Sequence, residues 1–515
     1  MLERIERNDP TLTELVILPT KTFGSTEVNR LAVALGPNGK NTYLTSISAS
    51  GHEIQDVSSL ASLGKAISSG TQNNVKSLAI GNSTMGDVGV CALCDGLQQG
   101  CWGGDDNYDG TSRIRLEYLD LSYKNIGSLG MNAIIETFQG SSTLKTLNLS
   151  RNPNIGSCTI FQQPRGTGEE EEGDANSTAK QFLPSVTDLD LSECGMTSQS
   201  CEGLVSELAQ SNNNNNNNDD DDDDLARNLT LRLNSNPQIG PNGMKFLSRA
   251  LTTTTSSSSN ACNVVQLYLS RCNILDEGLT YLLDGISDGG RSSSYLQVLD
   301  LSYNDLTSVG LEEFSKRLIH NNNEDDVLPQ LVDLNLAGSK FNEESSITSF
   351  AKALDVLYYK KRTSSDNDDH DDGKVLLSKL DLNDTSCGIQ GAISMIKYGH
   401  LQSLSLFNND LNSEGFIEIA DSGCLHGGHP TLKSLDIGGN HANQGSVVAL
   451  LESLIIKEKD DTTPSTFTKN QLELLVVGGN EGGPDVEEMV KKVKEVFPKL
   501  DIARDKPRRQ QNQQN

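Results

Sequence analysis

Three short stretches carry residue types at the spacing of chemical sites. GDDNYDG, residues 104–110, sets Asp105, Asn107 and Asp109 at alternate positions before Gly110. The first half of a calcium loop presents its oxygen ligands this way. The loop also needs a carboxylate at its twelfth position. That position is Leu116, and Glu117 comes one residue late. No helix-forming stretches flank it, so a solvated loop is expected. LGPNGKNT, residues 35–42, is close to G-x-x-x-x-G-K-[ST], but Ala34 replaces the first glycine and Asn41 the hydroxyl residue. A phosphate loop also runs from strand to helix, whereas this segment follows a helical pattern and precedes a strand. It reads as a turn. CALC, Cys91 to Cys94, has Cys101 seven residues on but neither a second C-x-x-C nor paired histidines, so Cys94 reads as buried sulfur rather than a zinc ligand. The seven histidines are scattered, and no Ser/His/Asp or paired-carboxylate arrangement recurs. The expectation is a protein that is not an enzyme and needs no metal or cofactor.

Composition narrows the partners. The chain has 515 residues, is 35% hydrophobic and carries a formal charge of −28. Much of that charge sits in four runs, at 169–172, 219–224, 324–326 and 366–372. Such a field opposes nucleic acid and anionic membrane and favours basic partners. MLERIERNDP is charged and lacks an apolar signal region. No run of 18 apolar residues stands anywhere in the chain, so no membrane span is expected. Ten cysteines without an export signal imply reduced thiols, hence the cytoplasm or the nucleus. Lys506 to Arg509, KPRR, reads as a solvated basic tail.

The elements that must position any site are repeats. LEYLDLSYKNI begins at Leu116, LKTLNLSRNPNI at Leu144, LQVLDLSYNDL at Leu296, LQSLSLFNNDL at Leu401 and LKSLDIGGNHA at Leu432. Further copies begin at Leu12, Leu44, Val75, Val186, Asn228, Val265, Leu331, Leu377 and Leu472, about fourteen units in all. The pattern is L-x-x-L-x-L-x-x-N/C-x-L. Its L-x-L alternation is a short strand with one buried face. A helical stretch follows, as in Gly310 to Leu318, and supplies the right-handed crossover that parallel strands need. No unit buries its leucines alone, so the units stack. The ninth position holds Asn152, Cys194, Asn236, Cys272, Asn304, Thr385, Asn409, Asn440 and Asn480, side chains suited to bonding buried backbone. Lys124 breaks the column, and a local shift or an outward-reaching lysine is expected there.

This stacking tolerates "SNNNNNNNDDDDDDLA", whose seven asparagines and six aspartates occupy 212–224. The tract follows a helical pattern and precedes a strand, where a solenoid accepts insertions. The acidic stretch starting at Cys158 reads as following a strand, on the opposite rim. The domain reading is a cap at 1–11, repeats over 12–498 with insertions near 157–180, 211–225, 252–262 and 362–374, and a polar tail at 499–515.

A helix-containing unit near 28 residues resembles the ribonuclease-inhibitor-like class of leucine-rich repeats. The resemblance implies an α/β solenoid, a horseshoe with a parallel sheet on its concave face and helices on its convex face. Fourteen strands at about 4.8 Å give a sheet about 65 Å long, suited to a protein partner. Variable strand positions on the concave face should carry recognition. The fifth position holds Asp120, Asp190, Arg232, Tyr268, Asp300, Asp381 and Asp436, and the eighth holds Tyr123, Arg151, Arg271 and Tyr303. Tyr and Arg are enriched among binding hot spots. The expected function is a non-catalytic scaffold for a protein of basic or mixed-charge surface. The resemblance also implies two specific alternatives: inhibition of a basic ribonuclease, or GTPase activation of the Ran type.

Overall fold

The computed structural model describes every residue except 70–73, 102–113, 163–181, 211–226, 252–261, 289–294, 320–327, 329, 364–376, 456–469 and 505–515. GDDNYDG, the four acidic runs, the Asn/Asp tract and KPRR therefore lie outside the described residues. The chain divides into two compact units, Met1–Cys272 and Asn273–Asn515.

The first unit has eight strands: β1 Glu14–Val16, β2 Ser46–Ser50, β3 Ser77–Gly81, β4 Tyr118–Asp120, β5 Thr146–Asn148, β6 Asp188–Asp190, β7 Arg227–Arg232 and β8 Cys262–Tyr268. Each pairs in parallel with the next in sequence. The fourth-position leucines set the register: Leu119, Leu147, Leu189 and Leu231 stand side by side, each 1% exposed or less. A one-residue slip would turn every leucine to solvent, so the pattern fixes the pairing. A bulge between β7 and β8 absorbs Val265.

Helices α1 Leu2–Glu6, α2 Ser25–Leu35, α3 Val57–Ser69, α4 Gly86–Cys101, α5 Ser128–Phe138, α6 Thr159–Gln162, α7 Ser198–Gln210 and α8 Gly240–Leu251 alternate with these strands. Short α6 corrects one expectation. The stretch after Cys158 does not run directly from a strand into an insertion. It first forms α6, buries Phe161 and packs on α7. Residues 163–181 thus fall between helix and strand, like the insertion at 211–226 between α7 and β7. Four residues are too few to show helical periodicity.

The second unit repeats the plan with β9 Val298–Asp300, β10 Asp333–Asn335, β11 Lys379–Asp381, β12 Ser403–Ser405, β13 Ser434–Asp436, β14 Leu474–Val476 and β15 Asp501–Ala503. These too pair in parallel and in order. Its helices are α9 Leu275–Asp288, α10 Ser308–Ile319, α11 Glu344–Thr363, α12 Ile389–Tyr398, α13 Asn412–Asp421, α14 Gln444–Ile455 and α15 Pro484–Val496. Strand β15 follows the last repeat read in the sequence and pairs with β14. Both units are α/β repeat solenoids.

The ninth position holds the repeats together. Asn236 Oδ1 accepts from the backbone N–H of Cys194 and Met196, both at 3.0 Å, and its Nδ2 donates to the carbonyls of Leu191 and Leu233. Asn152 and Asn440 make the same four kinds of bond. Each satisfies backbone that has no water. Cys194 and Cys272 substitute with S–H bonds to the carbonyls of Leu149 and Leu233, each at 3.1 Å. Lys124 neither shifts the turn nor reaches outward. It is 2% exposed, its backbone N–H still meets Asn152 at 2.9 Å, and its ammonium donates to Ser122 O at 2.7 Å. The stem fills the hole and the ammonium finds a carbonyl; burial pushes its pKa down.

Candidate functional site

The strands bury their middle residue and leave both flanking side chains on the face away from the core. The turn after each strand then adds an unexpected feature. From the repeat of β4 onward the eighth-position residue adopts left-handed backbone, unlike Pro19 and Asn82 before it: Tyr123 at φ +57°, Arg151 at +61°, Glu193 at +56°, Ser235 at +58° and Arg271 at +58° in the first unit. Tyr303 at +55°, Gly338 at +70°, Asp384 at +57°, Asn408 at +54° and Gly439 at +65° follow in the second. The reversal lets the ninth side chain turn inward and the eighth outward. For a tyrosine or arginine this conformation costs about 1–2 kcal/mol. The sequence signal was present in the second unit, where Gly, Asp and Asn occupy the position. Tyr and Arg in the first unit concealed it.

The fifth-position aspartates have a structural task. Asp120, Asp190, Asp300 and Asp381 each accept the N–H two residues on, at 2.8–2.9 Å, and Asp436 accepts from Gly438 at 2.8 Å. This local bond shapes the turn. Asp120 is buried. Burial is also the largest influence on Asp381, whose carboxyl is pushed up to about 6, with the charges of Asp300, Asp436 and Asp384 adding to it. Asp300 and Asp436 are raised by burial as well.

Other predicted residues come together in pairs. Arg232 and Tyr268 are register partners on β7 and β8, with the guanidinium 5.2 Å from the ring centroid. Arg232 also forms an ion pair with Asp188, a residue that the consensus reading passed over. The Tyr268 hydroxyl donates to Gln266 at 3.1 Å. Exposed Arg151 pairs with Glu193 at 3.3 Å, and Tyr123 is 61% exposed. Tyr303 reaches Asp384 at 3.0 Å. Asp384 and Phe407 belong to this surface but were missed: Asp384 stands at an eighth position without being Tyr or Arg, and Phe407 stands at a seventh.

The motifs weighed for chemistry resolve into packing where they are described. Cys94 is 1% exposed, and burial pushes its thiol up to about 12. In the phosphate-loop look-alike, Asn41 donates to Ile5 O and accepts from Leu44 N, closing a turn between α2 and β2. Among the described residues no group of three His, Cys, Asp or Glu side chains is placed to hold a metal, and no helix is long and apolar enough to cross a membrane. His400 lies 2.6 Å from Asp355 and stacks on Tyr358 at 3.8 Å, lining a small apolar cavity with Phe314 and Leu354.

Repeat and fold together make the chain a leucine-rich-repeat protein. The Leucine Rich repeat family model matches residues 140–157, 292–315 and 400–420. The chain is 24% identical over 392 residues to NACHT, LRR and PYD domains-containing protein 5 of Mus musculus, an alignment covering 71% of this chain and 28% of that protein's length. Among solved structures it is similar to one described as the Rad7 and Elc1 complex in yeast, at 14% identity and a TM-score of 0.35, covering 98% of this chain and 88% of that one.

Proposed function

We propose that this protein is a non-catalytic interaction scaffold that seats a protein partner of basic or mixed-charge surface on the free face of its sheet, the concave face of such a solenoid. One observation carries the reading. In repeat after repeat the chain accepts left-handed backbone at the eighth position, and at Tyr123, Arg151, Arg271 and Tyr303 it does so with large side chains that the core does not use. Strain kept at outward-facing hot-spot residues points to recognition. The likeness to a protein named for its LRR domain supports the same class. The repeat length supports the ribonuclease-inhibitor-like subclass.

Affinity purification of the full chain followed by mass spectrometry would supply the partner. Titration calorimetry would then compare wild type with Thr146→Trp on β5 and Ser434→Trp on β13. Both residues are half-buried at third strand positions on the free face. Loss of affinity in at least one, with the melting temperature unchanged, is expected. Full affinity in both would remove the sheet face from consideration. Acceleration of hydrolysis by a Ran-type GTPase, or inhibition of a basic ribonuclease, would replace the general reading with that specific one.

A further inference from the structure

The second unit carries two aromatic rings laid on glycine backbone. Tyr303 lies across Gly338, where an added Cβ would meet ring carbon Cδ1 at 2.3 Å. Phe407 lies across Gly439, where an added Cβ would meet Cε2 at 2.7 Å. The glycines thus leave room for flat rings, and both rings keep exposed surface. Between them stands the carboxylate of Asp384. It is fixed by the Tyr303 hydroxyl at 3.0 Å on Oδ2 and by Asn408 Nδ2 at 2.5 Å on Oδ1. Each oxygen retains a lone pair for a further donor.

Basic partners reach some of the acidic side chains in both units, and in the first unit no described lysine or arginine pairs with Asp120 or Asp190. In the first unit Glu117, Asp188 and Glu193 each have a basic partner, in Lys76, Arg232 and Arg151. In the second, Lys340 is taken by Asp305 and Lys379 by Asp333. No described lysine or arginine pairs with Asp381, Asp384 or Asp436. A fixed carboxylate beside two ring faces suits guanidinium or ammonium groups through charge-assisted hydrogen bonds and cation–π contact.

The spacing defines the ligand. The rings rest on the repeats of β10 and β13, three strand spacings or about 14 Å apart. An extended chain covers that distance in about four residues. We infer that this face binds an extended segment of a protein partner that carries two cationic side chains about four residues apart, one against Tyr303 and Asp384 and the other against Phe407. The inference rests on the scaffold reading and narrows it to a partner chemistry and a place.

The test is fluorescence anisotropy on the full-length chain with a labelled glycine-serine peptide bearing arginines at i and i+4, beside one with the two arginines adjacent. The spaced peptide should bind more tightly. Asp384→Asn and Phe407→Ala should each weaken it about tenfold, the scale of one charge-assisted contact. Leu129→Ser, on the exposed side of α5 in the first unit, should leave it unchanged. Rising salt should also weaken it, since the contact is exposed. Thermal melts would identify any variant that fails to fold, and Phe407→Leu then serves as the milder substitute. Equal binding of the two peptides, or full binding by Asp384→Asn and Phe407→Ala, overturns the inference. If the purified partner still responds to Thr146→Trp or Ser434→Trp, the scaffold reading survives that failure. If it responds to neither, both fall.

Discussion

The Tyr303 hydroxyl donates to Asp384 across an entire repeat, at 3.0 Å. The ring passes over Gly338, whose repeat lies between theirs. The contact exists because Gly338 has no side chain and because its φ of +70° suits glycine. Gly338→Ala would drive a methyl into the ring and strain the backbone. We expect a loss of about 1–3 kcal/mol, measured by chemical denaturation. Tyr303→Ala in the same background should recover part of it by removing the clash. No recovery would mean that the ring does not rest on this glycine.

The asparagine ladder should be the costliest polar feature to remove. Asn236→Ala leaves two buried N–H groups and two buried carbonyls without this partner. At about 1–3 kcal/mol for each unsatisfied group, the loss should be at least about 3 kcal/mol. Lys124→Asn should act the other way. It removes a buried ammonium and restores the ladder residue, for a gain of about 1 kcal/mol in the same denaturation assay.

The Asp381 carboxyl yields a pH-dependent prediction. Its folded pKa, about 6, lies above the unfolded 3.8. The folded protein therefore holds the extra proton between those values, and the buried charge destabilises it above pH 6. Asp381→Asn keeps the acceptor for the Asn383 N–H and removes that charge. It should stabilise the protein by about 1–2 kcal/mol at pH 7.5, and the advantage should shrink as pH falls through 6 toward 3.8. His429 works in the opposite sense. Burial pushes it down to about 4, so its contribution is complete above 6.5 and is lost as pH falls toward 4. Both proteins contain His429, so it cancels in the difference. An advantage independent of pH would contradict the assignment.

Removing residues 212–224 should barely change the melting temperature. The flanking elements, α7 ending at Gln210 and β7 starting at Arg227, are ordinary members of their layers, and halving a loop changes closure entropy by only about 0.6 kcal/mol. Leu299→Ala is the contrasting control. That residue is 1% exposed at a fourth position, and its truncation should cost about 2–5 kcal/mol. Loss of the cooperative transition on deleting the tract would place it within a structural element.

The sequence alone determined the repeat, the parallel strand order and the identity of the core. Leucine spacing leaves one register in which every fourth and sixth position is buried, and asparagine at the ninth has one productive direction to turn. What it left open was whatever depends on the neighbouring repeat. Asp120 and Tyr123 looked like equivalent surface positions; a bond to the Ser122 N–H holds the first in the turn and left-handed backbone turns the second outward. Lys124 looked like a break in the column, yet its stem fits the hole because Ser122 O lies within reach of its ammonium. Asp384 stood at an eighth position, but its role comes from Tyr303 two repeats earlier and from the space left by Gly338. Period and burial are local properties of one unit. A site on the sheet is assembled from side chains of several units, and only stacking decides which of them meet.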